Sequence, residues 1–319
     1  MDTSTVVTTR VDRNRPETIL RQHKILNLVS MNKKVSVARL SVASNTILII
    51  MKVAAGFLSG SVSIISEAIH SLMDLLASVV ALFSVKVSDR PADEKHPYGH
   101  GKFENISGVI EASLIFVAAF WIIYEAIEKI INPREIEKIG VGVVVMMLSA
   151  IVNIIVSRKL YKVAWETGSV ALEADALHLK TDVLTSFGVA MGLALLWITG
   201  IRILDPIIAI IVALMILKES YELFSRAFWP LIDHALPASE IAQITMIIQQ
   251  HCRHKMTFHN LRTRKAGNYR YIDFHLNLDP ELTVGEAHDI CDQIESDIKN
   301  KIVNAEITIH VENFSDMNQ

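Results

Sequence analysis

The chain has 319 residues, of which 51% are hydrophobic and 20% are charged, and its formal net charge is −3. The mean hydropathy of +0.35 is higher than that of an ordinary soluble domain, and it predicts a chain divided between membrane and water. The small net charge excludes a general basic surface for nucleic acid. Two cysteines, Cys252 and Cys291, argue against a disulfide scaffold, and the polar first residues predict that no signal peptide is cleaved.

Six apolar stretches have the roughly 20 residues that a helix needs to cross a bilayer. In chain order they lie at roughly 38–58, 62–86, 104–130, 138–157, 177–199 and 206–226. The sequence therefore predicts an α-helical membrane protein with six transmembrane helices. We divide it into a cytoplasmic N-terminal segment at 1–35, a transmembrane domain at 36–230 and a cytoplasmic metal-binding regulatory domain at 231–319.

The distribution of Lys and Arg predicts the orientation of the spans. Six spans leave both termini on one side of the membrane, and that side carries many more basic residues than the other. The basic residues on the first side are Arg21, Lys24, Lys33, Lys34, Arg39, Lys86, Arg90, Lys95, Lys102, Arg158, Lys159 and Lys162, and those opposite are Lys129, Arg134, Lys138 and Arg202. The positive-inside rule then places both termini in the cytoplasm.

From about residue 233 the hydropathy falls and the patterns become those of an aqueous domain. The segment PASEIAQITMIIQQHC predicts an amphipathic helix, and LRTRKAGNYRYIDFHLNL predicts a β-hairpin that turns at Ala266-Gly267-Asn268. A second helix follows in LTVGEAHDICDQIESDIKNKI, and a third strand in AEITIHVEN. The order αββαβ predicts a small α+β domain with a core of its own.

Two of the predicted spans carry the same pair of ionisable residues. The second span contains His70 and Asp74, and the fifth contains His178 and Asp182. Each pair is spaced i, i+4, so its side chains share one helix face. Ionisable residues at membrane depth are costly and usually functional. Two imidazoles and two carboxylates form a tetrahedral ligand set that suits zinc, and cobalt nearly as well. The alternative, two pairs that only stabilise helix contacts, explains a repeated pattern less well.

Other polar residues near this quartet leave two interpretations open. Glu67 and Asp175 each precede a quartet histidine by three residues, and they either support the ligands or lie solvated at a helix end. Asn45, in the first span, either forms a hydrogen bond within the helix bundle or lines the transport route. We assign no function to Lys52.

At these residues the chain resembles the cation diffusion facilitator family of metal/proton antiporters. The resemblance rests on SGSVSIISEAIHSLMD, HPYGHGKFE, EADALHLKTDVLTS and HNLRTRKAGNYRYIDFHL, and it covers roughly residues 35–313. It implies six spans plus a metallochaperone-like αββαβ domain, a homodimer, and exchange of a cytoplasmic divalent cation for protons. Histidine at position 70 resembles the zinc-selective group of the family, whereas Asp at that position is found in other groups.

A predicted cytoplasmic loop holds a second cluster, formed by Asp93, His96 and His100. Their spacing suits a three-ligand metal site with an open position, and the resembled family has an accessory site at the matching residues. The alternative is a polar loop with two exposed histidines.

The third cluster belongs to the predicted cytoplasmic domain. Its members are His259, His275, His288, His310 and Glu312. The strand period of two places His310 and Glu312 on one face of the sheet. The resemblance implies a binuclear zinc site here, with Glu312 bridging the metals where close relatives usually have Asp. Ordinary surface histidines are the alternative.

The resemblance also matches Lys102 and Asp233 to a charged contact that holds the dimer near the membrane surface, although a general surface role explains them nearly as well. His251-Cys252-Arg253-His254 looks like a ligand cluster, but neighbours so close in sequence point in different directions on a helix end. We therefore interpret it as solvated surface.

The sequence thus predicts proton-coupled antiport that moves a divalent transition metal, zinc first, out of the cytoplasm across a prokaryotic plasma membrane. Zinc is expected both as substrate and as a structural or regulatory ion, with protons as the counter-ion. A metal-gated channel, a metal sensor, and a transporter mainly of cobalt, cadmium, iron or manganese stay open. An intramembrane metalloprotease is disfavoured because no His-Glu-x-x-His motif occurs.

Overall fold

The computed structural model describes residues 15–59, 62–132, 141–199, 201, 203–252 and 255–314. Six long helices come first in the chain and a small α/β domain follows. The helices are α1 (Arg15–Ser59), α2 (Val62–Ser88), α3 (Lys102–Ile131), α4 (Val141–Thr167), α5 (Val170–Thr199) and α6 (Leu204–Phe228). Residues 1–14 of the predicted N-terminal segment lie outside the described residues, as do 138–140 of the fourth predicted span.

The helices are longer than the apolar stretches that predicted them. Helix α1 begins at Arg15, inside the segment expected to precede the membrane domain, and α5 begins at Val170 rather than near 177. Helix α4 has 27 residues, which corresponds to about 40 Å at the rise of an α-helix. A hydrocarbon core of about 30 Å is shorter than that. Each apolar stretch predicted only a part of its helix, and more polar residues continue the same helix beyond it.

By length and composition alone, two stretches of the described chain are apolar enough to cross a membrane, Met31–Ala55 and Lys102–Ile131. The other helices contain more ionisable residues, such as Glu173, Asp175 and Lys180 in α5, which lower the mean hydropathy. The shortest of the six, α6, has 25 residues and is long enough to span. Six spans therefore stay a prediction.

The helix bundle is held together by small residues and by short polar side chains. Ala171, Ala174 and Ala176 of α5 are fully buried, which allows neighbouring backbones to approach closely. The Ser157 hydroxyl of α4 donates to the backbone carbonyl of Ala176 at 2.8 Å. Bonds of this kind fix how α4 and α5 are rotated about their axes, and α5 carries half of the predicted quartet.

The cytoplasmic domain has the predicted order αββαβ. It follows α6 after a short 3₁₀ turn at Trp229–Ile232. Its elements are α7 (Ala238–His251), β1 (Thr257–Ala266), β2 (Tyr269–Leu278), α8 (Val284–Lys301) and β3 (Ala305–Asn313). Strand β2 is central, antiparallel to β1 and parallel to β3.

The two faces of this sheet have different environments. Ile272, Phe274 and Leu276 of β2 pack with Ile248 of α7 and Ile294 of α8 in the domain core. Because side chains alternate along a strand, the residues between them in β2 lie on the opposite face, which α7 and α8 do not cover. This open face carries the histidines discussed below.

Candidate metal sites

Helices α2 and α5 bring three of the four predicted quartet residues together. Nε2 of His178 lies 3.0 Å from Oδ1 of Asp74, and ligand atoms of Asp74, His178 and Asp182 all lie within 4.8 Å of one another. Asp74 is buried, while His178 and Asp182 are half-buried. This arrangement of one imidazole and two carboxylates is compact enough to coordinate one divalent cation.

The fourth predicted ligand, His70, belongs to α2 one turn before Asp74. Its side chain lies outside the described part of the structure, and so does that of Glu67. Residues 70 and 74 both lie in α2, and residues 178 and 182 both lie in α5, so each i, i+4 pair is helical as predicted. The complete four-residue site stays a prediction.

A cavity of about 770 Å³ reaches this cluster. Asp74, His178 and Asp182 line it, together with Asn45 and Lys52 of α1. Asn45 also donates to the backbone carbonyl of Asp74 at 3.3 Å, which is the hydrogen bond within the bundle considered for it, and its place on a transport route stays a prediction. The cavity supplies room for a hydrated ion to approach the carboxylates.

Lys52 also lines the cavity, although the sequence assigned it no function. It is 7% exposed, and its ammonium donates to the Ser71 hydroxyl at 2.6 Å. The sequence feature that could have identified Lys52 as functional is its position inside an apolar span. Asp175, one turn before His178, is fully buried, which rules out a solvated helix end. Whether it supports the ligands stays a prediction.

The loop between α2 and α3 forms the second cluster. Oδ1 of Asp93 lies 3.1 Å from Nδ1 of His96, and Oδ2 lies 3.3 Å from Nε2 of His100. The backbone N–H of His96 donates to Asp93 at 2.7 Å, and these hydrogen bonds hold the pKa of the Asp93 carboxyl below its ordinary value. His100 is only 6% exposed, so one of the two histidines is not on the surface. A positive φ at Gly99 gives the chain the turn that precedes His100.

The hairpin of the cytoplasmic domain contacts this loop directly. The Tyr271 hydroxyl donates to the carbonyl of Tyr98 at 2.6 Å, and the Arg264 guanidinium lies 4.9 and 4.4 Å from the centres of the Tyr98 and Tyr271 rings. At the tip of the hairpin, the backbone N–H of Gly267 donates to Oδ1 of Asn105 in α3 at 2.9 Å. These contacts join the aqueous domain to the start of α3.

Lys102 and Asp233 form an ion pair at 2.9 Å within one chain. The hydrogen bond from Lys102 lowers the pKa of the Asp233 carboxyl. Because both side chains are exposed, the pair contributes about 0–1 kcal/mol by itself. The pair joins α3 to the start of the cytoplasmic domain, and its proposed role in a dimer stays a prediction.

Strand register assembles the third cluster. His259 pairs with His275, and His275 pairs with His310, so three histidines form one row across β1, β2 and β3. Neighbouring ring centres are 5.0 and 4.8 Å apart. Glu312 lies next to this row, with carboxylate oxygens 2.9 Å from His275, 3.5 Å from His259 and 3.7 Å from His310. This central carboxylate suits the predicted bridging role.

His288 does not join this row within one chain, and its place in the expected metal site stays a prediction. It belongs to α8, which packs against the other face of the sheet. Its side chain is 73% exposed and lies 3.6 Å from Asp292 on the same helix. The sequence placed a histidine on a helix correctly but gave no information about which face of the sheet that helix covers.

The segment His251-Cys252-Arg253-His254, which the sequence predicts to be solvated surface, is described only in part. The imidazole of His251 lies 2.9 Å from Asp297 of α8, and Cys252 packs against the domain core. Arg253 and His254 lie outside the described residues.

We expect Glu312→Gln to weaken zinc binding by the cytoplasmic row, because the amide lacks the charge and one acceptor of the carboxylate. Because Glu312 is the expected bridging ligand, the loss in affinity should be at least the roughly 10- to 100-fold found for residues that only support metal ligands. Equilibrium dialysis of the full chain, with bound zinc counted per chain, measures it. Asp292→Asn removes a comparable carboxylate next to His288 and should leave zinc binding at the row intact. Equal zinc content in Glu312→Gln and the wild type would contradict a site at this row.

The sequence did not predict a buried charge cluster at the start of α3. Lys34 of α1 is 1% exposed, and its ammonium contacts Asp89, which follows α2, and Glu104 of α3, the latter at 3.1 Å. Ser88 donates to the same Glu104 oxygen at 2.9 Å. From the sequence, Lys34 contributed only to the prediction of membrane orientation, because spacing along the chain does not show which distant carboxylates a lysine contacts.

Two family models match nearly the whole described chain. The cation efflux transmembrane domain matches residues 38–232, and the cytoplasmic domain of cation efflux proteins matches residues 236–314. The boundary between them falls where the short turn after α6 leads into α7.

Curated relatives extend the similarity over most of the chain. The uncharacterised transporter sll1263 of Synechocystis sp. is 35% identical over 266 residues, which is 83% of this chain and 86% of the relative. The cation-efflux pump FieF of Shewanella oneidensis is 32% identical over 273 residues, 86% of this chain and 92% of the relative. A solved structure of CzrB in its zinc form is 32% identical and covers 27% of this chain and 99% of that one, with a TM-score of 0.26.

Proposed function

The chain belongs to the cation diffusion facilitator family of cation-efflux transporters, and we propose that it exports a divalent transition metal, zinc first, in exchange for protons. It is a transporter and not an enzyme, and its transmembrane domain makes it a membrane protein. The observation that carries the proposal is the cluster of Asp74, His178 and Asp182, which lines a cavity between the helices.

The ligand chemistry supports zinc. One imidazole and two carboxylates meet in the described cluster, and His70 would complete a tetrahedral set of two nitrogens and two oxygens. Such a set suits zinc and cobalt, whereas calcium and magnesium take six or more oxygen ligands. Two carboxylates also neutralise the charge of a dication at a depth where an unpaired charge is costly.

Proton exchange follows from the histidine ligands. Imidazole binds a metal through a neutral nitrogen, so metal binding releases protons and protonation weakens metal binding. When the site opens to each side of the membrane in turn, this linkage becomes antiport. Metal enters from the cytoplasm and displaces protons, and protons returning from the other side release the metal.

We propose six spans with both termini in the cytoplasm, in a prokaryotic plasma membrane, and a homodimer formed through the cytoplasmic domain. The loop cluster and the histidine row are proposed as accessory and regulatory zinc sites. The contacts of the hairpin with Tyr98 and Asn105 give the regulatory domain a physical connection to α3. Regulation in this sense requires a coupling free energy between the sites.

Zinc uptake into proteoliposomes with a defined pH gradient tests the transport proposal. We expect uptake to rise with an acidic interior, because protons that leave the vesicle drive zinc in, and to fall when a protonophore collapses the gradient. Empty liposomes are the control. Uptake that ignores the pH gradient would favour a channel, and absence of uptake for every divalent metal tested would favour a sensor.

A further inference from the structure

A second large cavity, of about 920 Å³, opens on the outer surface of the bundle between α4, α5 and α6. None of the three clusters described above contributes to it. Charged residues of all three helices line it. The charged lining residues are Arg158, Glu173, Lys180, Lys218, Glu219, Glu222 and Arg226.

Two internal ion pairs leave an excess of positive charge in this cavity. Lys180 pairs with Glu219 at 2.6 Å, and Arg226 pairs with Glu173 at 2.8 Å. Arg158, Lys218 and Glu222 have no ionic partner within the described part of the chain. The cavity therefore carries a net charge of about one positive unit, and two of its cations are available to a ligand.

Three of the cations that line the cavity lie at one level of the bundle. Arg158, Lys180 and Lys218 are each about ten residues from a helix end, namely the end of α4, the start of α5 and the end of α6. This corresponds to roughly 15 Å along the helix axes. Because α4 exceeds a hydrocarbon core of about 30 Å by only about 10 Å, this level lies inside the apolar core, and long Arg and Lys side chains reach from it towards the headgroups.

The surroundings of the cavity favour a lipid over a soluble anion. Ile155 and Leu214 lie one turn deeper than Arg158 and Lys218 and are more than half exposed, at 51% and 55%, which gives acyl chains an apolar surface. Trp165 lines the cavity nearer the helix ends and is 80% exposed. Indole rings favour the membrane interface.

We propose that this cavity binds the headgroup of an anionic phospholipid of the cytoplasmic leaflet, with Arg158 and Lys218 contacting the phosphodiester. One negative charge matches the excess positive charge, and basic pockets between helices on this side suit anionic headgroups. Glu222 disfavours a more highly charged phosphate. The leaflet assignment rests on the orientation given under the proposed function, but the binding itself does not depend on transport.

Native mass spectrometry of the full chain in detergent, titrated with phosphatidylglycerol, tests the proposal. We expect one phosphatidylglycerol per chain to be retained by the wild type. The double variant R158Q/K218Q should bind it about 30-fold more weakly, on the scale of two interfacial charges. The conservative variant R158K/K218R should retain binding, which separates lost charge from misfolding. The control R39Q/K86Q removes two exposed cations outside the cavity and should bind as the wild type does.

Three results would overturn the proposal. Equal weakening in R39Q/K86Q would show a diffuse attraction to basic surface, and equal retention of phosphatidylcholine or phosphatidylethanolamine would exclude selection by charge. Displacement of the lipid by millimolar inorganic phosphate would indicate a soluble phosphate as the ligand. Because lipid retention is measured without a metal gradient, a chain that binds the lipid and transports no zinc would contradict only the transport proposal.

Discussion

An Asp182→Asn variant reconstituted in proteoliposomes should lose zinc uptake by roughly 100-fold or more. Asp182 lies within the cluster that includes Asp74 and His178, and its carboxylate supplies half of the acidic charge there. Removing one partner of a buried charge pair at a binding site costs about 2–5 kcal/mol of binding free energy, and each 1.4 kcal/mol is about tenfold in affinity. The amide keeps the shape of the side chain, so the bundle should assemble normally.

The matched control is Glu166→Gln. Glu166 also belongs to a helix of the membrane domain, but its ion pair with Lys33 is exposed at 3.4 Å and is worth about 0–1 kcal/mol. We expect its flux to equal that of the wild type. Proton-coupled zinc flux that persists in Asp182→Asn would remove this residue from the transport site.

Gly101→Ala should separate the hairpin tip from α3 and destabilise the chain by about 1–3 kcal/mol, the usual cost of overpacking. A Cβ at Gly101 would clash with the backbone carbonyl of Ala266. That carbonyl has little freedom, because Gly267 beside it has φ +59 and bonds to Asn105. We therefore expect a lower melting temperature for the purified protein, and faster proteolysis of the loop that precedes α3.

Gly285→Ala is the control for this substitution. Gly285 lies in α8 with no atom closer than 4.0 Å to the added Cβ, and alanine is favoured over glycine in a helix by about 0.5–1 kcal/mol. Its melting temperature should stay the same or rise. Melting of Gly101→Ala at the wild-type temperature would mean that the hairpin contact does not hold the two domains together.

The sequence predicted those features that depend on periodicity along one element. A spacing of four residues put His178 and Asp182 on one face of α5, and the period of two put His310 and Glu312 on one face of β3. Both predictions concern neighbours within a single helix or strand, where geometry is fixed by the backbone hydrogen bonds. The order of elements in the cytoplasmic domain followed from the same periodicities.

Features that depend on contacts between distant elements were not predictable in this way. The three-histidine row requires the register of β1, β2 and β3, and the sequence alone did not specify it. His288 was expected in the metal site because it matches the resembled family, and the sequence did not specify which face of the sheet its helix covers. The burial of Lys34 between Asp89 and Glu104 and the contact of Gly101 with the hairpin depend likewise on tertiary packing.

The parallel pairing of β2 with β3 has a consequence for the order in which the protein matures. A parallel strand needs a crossover, here α8, so the last histidine and the central glutamate reach the row only after the crossover has folded. The unfolded chain lacks this zinc site, so the free energy of zinc binding at the row adds to the free energy of folding. Zinc affinity at the row therefore measures whether the whole domain has folded. During synthesis the helices that carry Asp74 and Asp182 precede this event. A newly made chain would hold the residues of its transport cluster before it acquires the sensor that is proposed to govern them.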